Sequence, residues 1–264
     1  MPLENQIDNA PKVSKDDWAK TCSILLDDAK PTGATCGERL GQIRQAEETM
    51  CTAMEAFAKN GFELVDTDKN GYLSPAETKK AIANTPAGVN RDVLKYIDKN
   101  ANSIQLNSDD QWFFDWSGVT KKDINKTDSA LNKKFDLKLA DEVAHHLKKE
   151  ELHELETLVH QMNPNCIDYI LEKAAYALPG DTCESKLRFF GNTEDVNGKK
   201  VGTATIKLWD NQVLSFSTDP SVPPKAYQWK RDGWFKGHWE KANPEYMLDD
   251  MGDEARKGRL HHIL

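Results

Sequence analysis

The segment Asp66–Glu77 constrains the fold of this chain more than any other part of the sequence. Short polar side chains recur at alternate positions and are followed by a glycine: Asp66, Asp68, Asn70 and Gly71. A glycine at that point permits a sharp turn of the backbone. Ser74 is then a favoured helix cap, Pro75 takes the first helical position, and Glu77 lies three residues after the cap. The pattern predicts a tight loop that leads directly into a helix.

The same residues form a set of oxygen donors that suits a calcium ion. Calcium takes six to eight oxygen ligands at about 2.3–2.6 Å. Asp66, Asp68 and Asn70 supply short oxygen arms, and Ser74 supplies a hydroxyl group or holds a bridging water. Glu77 is one methylene longer than aspartate, so it can reach back and bind with both carboxylate oxygens. That feature favours calcium over the smaller, strictly octahedral magnesium ion.

Residues 62–82 resemble the EF-hand family of calcium-binding proteins. The loop matches the family pattern D-x-[DN]-x-[DN]-G-x5-E at every specified position. The resemblance implies a helix–loop–helix unit and adds the Tyr72 carbonyl oxygen to the ligands. The expected ligand set for the calcium cofactor is Asp66, Asp68, Asn70, Tyr72, Ser74 and Glu77. Three carboxylates and one amide indicate a dissociation constant on the order of 10⁻⁷ to 10⁻⁵ M.

An EF-hand loop commonly pairs with a second loop through a short β-bridge, and residues 108–123 are the candidate partner. The second half of this segment resembles a family loop, with Gly118, Val119, Thr120 and Asp123 at the matching positions. Three ligand positions of its first half instead hold aromatic residues: Trp112, Phe114 and Trp116. Aromatic rings do not bind a hard cation, so we expect a degenerate loop whose Val119 bridges to Leu73. The alternative is a longer calcium loop that uses Asp109, Asp110 and Asp115.

The hydrophobic pattern predicts an α+β fold. Apolar residues recur at helical spacing up to about residue 180, and short runs rich in Val, Thr, Phe and Trp follow. We expect four segments: a flexible arm at 1–13, a helical region at 14–135 that contains the EF-hand pair at about 37–133, a helical hairpin at 136–182, and a small antiparallel β region at 183–264 with a loose tail from Arg256.

The β region concentrates aromatic side chains: Trp209, Tyr227, Trp229, Trp234, Phe235 and Trp239. A small two-layer fold needs large apolar residues, so we expect these side chains in its core. The alternative is an exposed sheet face that stacks on a sugar or grips a peptide. That alternative keeps open an enzyme or a binding module with the EF-hand as a regulatory accessory. A scaffold protein without calcium switching is a third hypothesis.

Three histidines recur every seven residues in a helix predicted over about 138–161: His146, His153 and His160. Glu150 lies four residues after the first and three before the second. Such spacings occur in helix-borne metal sites, but Thr157 stands where a zincin needs its second histidine. The charged neighbours favour a solvated helix face without a metal ion.

Composition excludes several classes of protein. The 264 residues include 35 basic and 43 acidic ones, a net charge of -8, which argues against a nucleic-acid partner. No apolar run approaches the roughly 18 residues of a membrane span. The first residues lack the features of a secretory signal, so we expect a cytoplasmic protein. Five widely spaced cysteines without a CxxC pair indicate reduced thiols.

Together these features predict a calcium-binding protein rather than an enzyme. One functional loop holds the ion, whose role is mainly structural or modestly regulatory. A protein target is left open as a further partner.

Overall fold

The structure, a computed structural model, describes residues 13–107, 118–179, 186–209, 211–232 and 236–257. It confirms the α+β class, with one antiparallel sheet between helices. The helices are α1 Lys15–Leu25, α2 Cys36–Asn60, α3 Phe62–Val65, α4 Pro75–Asn84, α5 Val89–Gln105, α6 Lys121–Lys148, α7 Leu152–His160, α8 Ile167–Ala177 and α9 Pro244–Lys257. The strands are β1 Leu187–Val196, β2 Lys199–Leu208, β3 Gln212–Ser217, β4 Lys225–Arg231 and β5 Gly237–Ala242.

The chain divides into two compact units. The first comprises the described residues up to Thr32 together with Gln42–Lys133, and the second comprises Gly33–Gly41 and the described residues from Lys134 onward. Helices α2 and α6 each contribute residues to both units. The predicted boundary at 182/183 therefore falls inside the second unit, and the predicted boundary at 135/136 falls inside α6.

The first unit is helical and has a continuous apolar core. Helix α5 shows how the pattern produces burial, because Val93, Leu94 and Ile97 recur on one side of the helix and are all buried. The core includes Met50, Met54, Phe57, Phe62, Val65, Leu73, Leu94, Ile97, Ile104, Val119 and Ile124. Since Leu73 belongs to this core, the segment Asp66–Glu77 is anchored to it.

The second unit is built around the sheet. Its strands run in the order β1-β2-β3-β4-β5, and each neighbouring pair is antiparallel. The pairing aligns Ile206 with Leu214 and Leu214 with Ala226, and all three are buried. Helix α8 packs chiefly against β1 and β2, and α9 packs against β3. The segment predicted as a helical hairpin therefore contributes α8 as a layer on the sheet.

The predicted helix over 138–161 is wrong, because the chain breaks between α6 and α7. Glu150 has φ 59°, a left-handed conformation that ends the helix. Arg256 stabilises the break by donating to the Lys148 carbonyl and to the Glu150 carboxylate. His146 therefore lies on α6, apart from His153 and His160 on α7, and the predicted histidine stripe does not form.

The described members of the predicted aromatic set, Trp209, Tyr227, Trp229 and Trp239, are exposed rather than in the core, so the prediction is wrong for these four. Trp209, Trp229 and Trp239 are 57%, 37% and 45% exposed. Trp229 and Trp239 are paired across β4 and β5 with ring centroids 5.5 Å apart. Strand alternation places these two rings on one face of the sheet and buried Ala226 on the other. Aliphatic and small side chains fill the core on the Ala226 face. The ligand-binding alternative for this face stays a prediction; Trp234 and Phe235 lie outside the described residues.

Helix α9 replaces the start of the predicted tail. Arg256 lies within this helix and pairs with Glu150 and Asp253. Residues 258–264 and nearly all of the predicted flexible arm lie outside the described residues.

The sequence predicts neither a disulfide bond nor a membrane-spanning helix. In the described part of the chain, four cysteines lie outside any disulfide bond: Cys22, Cys36, Cys51 and Cys166. Among the described helices, none combines the length and the apolar character that a membrane crossing requires.

Candidate metal centre

Asp66 organises the first half of the loop from a buried position. It is only 3% exposed, although it carries a carboxylate. Its Oδ1 accepts a hydrogen bond from the Asn70 N–H at 3.1 Å, and its Oδ2 accepts one from the Gly71 N–H at 2.9 Å. The loop thus folds its own backbone donors around this carboxylate, which offsets part of the cost of burying the charge.

Two further side chains turn inward through bonds to the backbone two residues ahead. Asp68 Oδ1 accepts from the Asn70 N–H at 3.2 Å, and Asn70 Oδ1 accepts from the Tyr72 N–H at 2.8 Å. These Asx turns tighten the loop. Gly71 has φ 86°, and an added Cβ there would meet nothing within 4 Å, so its role is conformational rather than steric.

Glu77 closes the loop from the start of α4. Its Oε2 accepts from the Ser74 N–H at 3.1 Å, while the Glu77 N–H donates to Ser74 Oγ at 3.3 Å, which confirms the predicted capping box. Its Oε1 accepts from the Thr67 N–H at 2.7 Å and from the Thr67 hydroxyl at 3.0 Å. The last acidic residue of the segment therefore reaches back to the first turn, as its extra methylene allows.

The structure brings three predicted ligands together. Carboxylate oxygens of Asp66, Asp68 and Glu77 lie within 4.8 Å of one another. Asn70 is hydrogen-bonded to Asp68, and Ser74 to Glu77, so both border the same cluster. The inward direction of the Tyr72 carbonyl stays a prediction. Three converging carboxylates repel one another, and a bound divalent cation would offset that repulsion.

The hydrogen bonds to Glu77 govern its ionisation. Burial acts to raise the pKa of this carboxyl group, but the bonds from Ser74 and Thr67 outweigh it and lower the pKa from 4.5 to about 2. Glu77 is therefore ionised at neutral pH, as a ligand for a cation must be.

This pKa predicts how the stability of the metal-free protein depends on pH. A carboxyl group with a lowered folded-state pKa stabilises the fold above its unfolded pKa, and that stabilisation is lost as the pH falls from about 4.5 towards 2. Glu77→Gln removes the titrating group. As the pH falls across this window, the free energy of unfolding of the variant should therefore decrease less steeply than that of the wild type. Urea unfolding in chelator at a series of pH values measures both curves. Parallel curves would contradict the assigned pKa.

A β-bridge joins the loop to the segment before α6, as predicted. The Leu73 N–H donates to the Val119 carbonyl at 2.9 Å, and the Val119 N–H donates to the Leu73 carbonyl at 3.1 Å. Both side chains are buried. Gly118 has φ 139°, and a Cβ added to it would lie 2.1 Å from the Leu73 carbonyl oxygen. The close approach of the two backbones therefore requires glycine at position 118.

The end of the predicted partner loop is a helix cap. The Thr120 N–H and hydroxyl donate to Asp123 Oδ2 at 2.9 and 2.7 Å, and the Asp123 N–H donates to Thr120 Oγ1 at 3.1 Å. Asp123 is buried and holds the start of α6. Residues 108–117, with the predicted aromatic and alternative acidic ligand positions, lie outside the described residues.

A second group with metal-ligand chemistry lies in the second unit, and it combines His146 with partners that the sequence patterns did not indicate. Ligand atoms of Cys36, Glu142 and His146 lie within 4.8 Å of one another. Cys36 begins α2, and the other two residues are four apart on α6.

No protein-family model, no curated protein and no solved structure matches this chain. The interpretation of both groups therefore depends on their own residues and geometry.

Proposed function

We propose that the protein binds one calcium ion in the loop Asp66–Glu77. The observation that carries the proposal is the convergence of three carboxylates, from Asp66, Asp68 and Glu77, in a loop that meets every position of the EF-hand pattern. Asn70, Ser74 and the Tyr72 carbonyl complete an all-oxygen ligand set, the chemistry that calcium prefers. The β-bridge from Leu73 supports the proposal, because it holds the loop against a second segment.

Each side chain would contribute differently to binding. Asp66 is already held by backbone N–H groups and needs little reorganisation. Glu77 would exchange its bonds to Thr67 for the ion while Ser74 keeps capping α4. The cation supplies positive charge at the centre of the cluster. The loop, the cap and the bridge would then be stabilised together.

The proposed role of the ion is mainly structural. A calcium sensor opens on binding and exposes an apolar groove, often lined by methionine. Here Met50, Met54 and Phe57 are fully buried in the core of the first unit. Exposing apolar surface costs about 2.5 kcal/mol for each 100 Å², so opening would offset much of the free energy that binding supplies.

Calcium should therefore raise the melting temperature without exposing apolar surface. At a hundredfold excess over the dissociation constant, the free energy of unfolding should increase by about 2.7 kcal/mol. Thermal melts with calcium, with magnesium and with chelator measure this effect, and binding of a hydrophobic dye reports exposure. Equal melts in calcium and chelator would contradict calcium binding. A large dye signal that appears only with calcium would contradict the structural role.

A further inference from the structure

The group Cys36, Glu142 and His146 has the composition of a transition-metal site. Thiolate and imidazole ligands select zinc and related ions, and a carboxylate oxygen is a third ligand type that zinc accepts. His146 Nε2 lies 3.6 Å from Glu142 Oε2. Ligand atoms of a tetrahedral zinc site are separated by about 3.3–3.8 Å, given metal–ligand distances of about 2.0–2.3 Å. The spacing of this pair already fits such a site.

The other ring nitrogen of His146 is held as a metal-binding histidine usually is. Its Nδ1 lies 2.5 Å from Glu151 Oε2. A carboxylate at that position fixes the ring orientation, and when it accepts the Nδ1 proton the tautomer has Nε2 available as a ligand. His146 is only 9% exposed, so the ring is also held by packing. Glu151 follows the left-handed break at Glu150, which places its side chain beside the preceding turn of α6.

Cys36 is positioned by a separate carboxylate. Its backbone N–H donates to Glu154 Oε2 at 2.7 Å, which ties the start of α2 to α7. Burial, and then the negative charge of Glu142, raise the pKa of the Cys36 thiol to about 11. A divalent cation between sulfur and carboxylate would relieve this repulsion. Binding would release the thiol proton to solvent and leave the sulfur lone pair on the metal.

We propose that Cys36, Glu142 and His146 bind a divalent transition-metal ion of the zinc type. The site belongs to the second unit and is independent of the calcium loop. Its three protein ligands leave one coordination position for solvent. Glu151 is a positioning residue that acts through His146.

Cobalt(II) is the probe, because its complexes with thiolates absorb by charge transfer in the near ultraviolet. The full chain without a purification tag, reduced and freed of metals, should bind one cobalt ion with this absorption. Zinc should displace the cobalt and calcium should not. Cys36→Ser should remove the absorption, whereas the control Cys166→Ser should keep it. Absence of the band in the wild type, or its survival in Cys36→Ser, would overturn the proposal.

Further variants separate ligand from positioning roles. His146→Gln should weaken cobalt binding at least about tenfold, while His153→Gln, on exposed α7 surface, should not. Glu151→Gln should keep the band and weaken binding roughly 10- to 100-fold.

Should Cys36→Ser fail to fold, alkylation of the wild type gives the answer, since zinc should protect Cys36 from iodoacetamide. Unprotected Cys36 would contradict the site. Glu77→Gln should leave the cobalt signal unchanged, which separates this proposal from calcium binding.

Discussion

Replacing Glu77 by glutamine is expected to weaken calcium binding by two orders of magnitude or more. The change removes one charge from the cluster with Asp66 and Asp68, and it removes the second carboxylate oxygen. An uncharged amide cannot provide the bidentate ligation that satisfies calcium at this position. Glutamine keeps one acceptor oxygen, so it can accept from Ser74 or from Thr67 but not from both. The Glu77 N–H bond to Ser74 Oγ, which caps α4, does not depend on the carboxylate, so the variant should fold. Calcium titration calorimetry with circular dichroism measures both properties.

The matched control is Glu63→Gln. Glu63 is an exposed residue of α3 near the loop, where it pairs with Lys121 at 2.5 Å. The same loss of charge should change affinity by no more than about threefold, because exposed charges are screened. Glu77→Asp tests reach, since it keeps the charge but shortens the side chain, and it should also weaken calcium binding. Undiminished affinity in Glu77→Gln would contradict the ligand assignment.

The second large effect is expected for Gly118→Ala. The new Cβ would overlap the Leu73 carbonyl, which lies 2.1 Å from its position, so the two backbones would have to separate. The cost combines backbone strain with the loss of two hydrogen bonds, about 3 kcal/mol in all. Calcium affinity should fall about tenfold, because Leu73 lies within the loop. Urea unfolding and calcium titration measure the two effects.

Gly88→Ala is the control for backbone strain alone. Gly88 has φ 153°, similar to Gly118, but an added Cβ there would meet nothing within 4 Å. It should cost about 2 kcal/mol less than Gly118→Ala and leave calcium affinity unchanged. Equal losses in the two variants would show that the bridge does not support the loop.

Asp123→Asn should affect the helix cap more than calcium binding; loss of one of two binding events in that variant would make the second loop a true site.

Local signals were sufficient to predict the tight loop at Asp66–Glu77 and the helix that follows it. The cap at Ser74, the turn at Gly71 and the reach of Glu77 all involve residues within one short segment, so spacing alone specifies them. The bridge between Leu73 and Val119 joins distant segments, yet the resemblance to a paired loop predicted it. The β1–β2 turn was not predicted, although it lies on the dipeptide Asn197-Gly198, a residue pair that favours hairpin turns, and the two residues have φ 55° and 80°.

Features that depend on distant contacts could not be predicted in this way. The break after α6 is stabilised by Arg256, from the far end of the chain. The i,i+4 spacing of Glu142 and His146 is visible in the sequence, but their approach to Cys36 depends on the packing of the second unit. Tryptophan is a large apolar residue, so composition alone favours its burial in a core. Only the strand register and the exposed fractions show that Trp229 and Trp239 face outward.

Isothermal titration of the metal-free, full-length protein with calcium, in a buffer that contains magnesium, tests the central claim most directly. We predict one binding event with a stoichiometry of one calcium ion per chain and a dissociation constant on the order of 10⁻⁷ to 10⁻⁵ M. The absence of saturable calcium binding would contradict the assignment of Asp66–Glu77 as a calcium site.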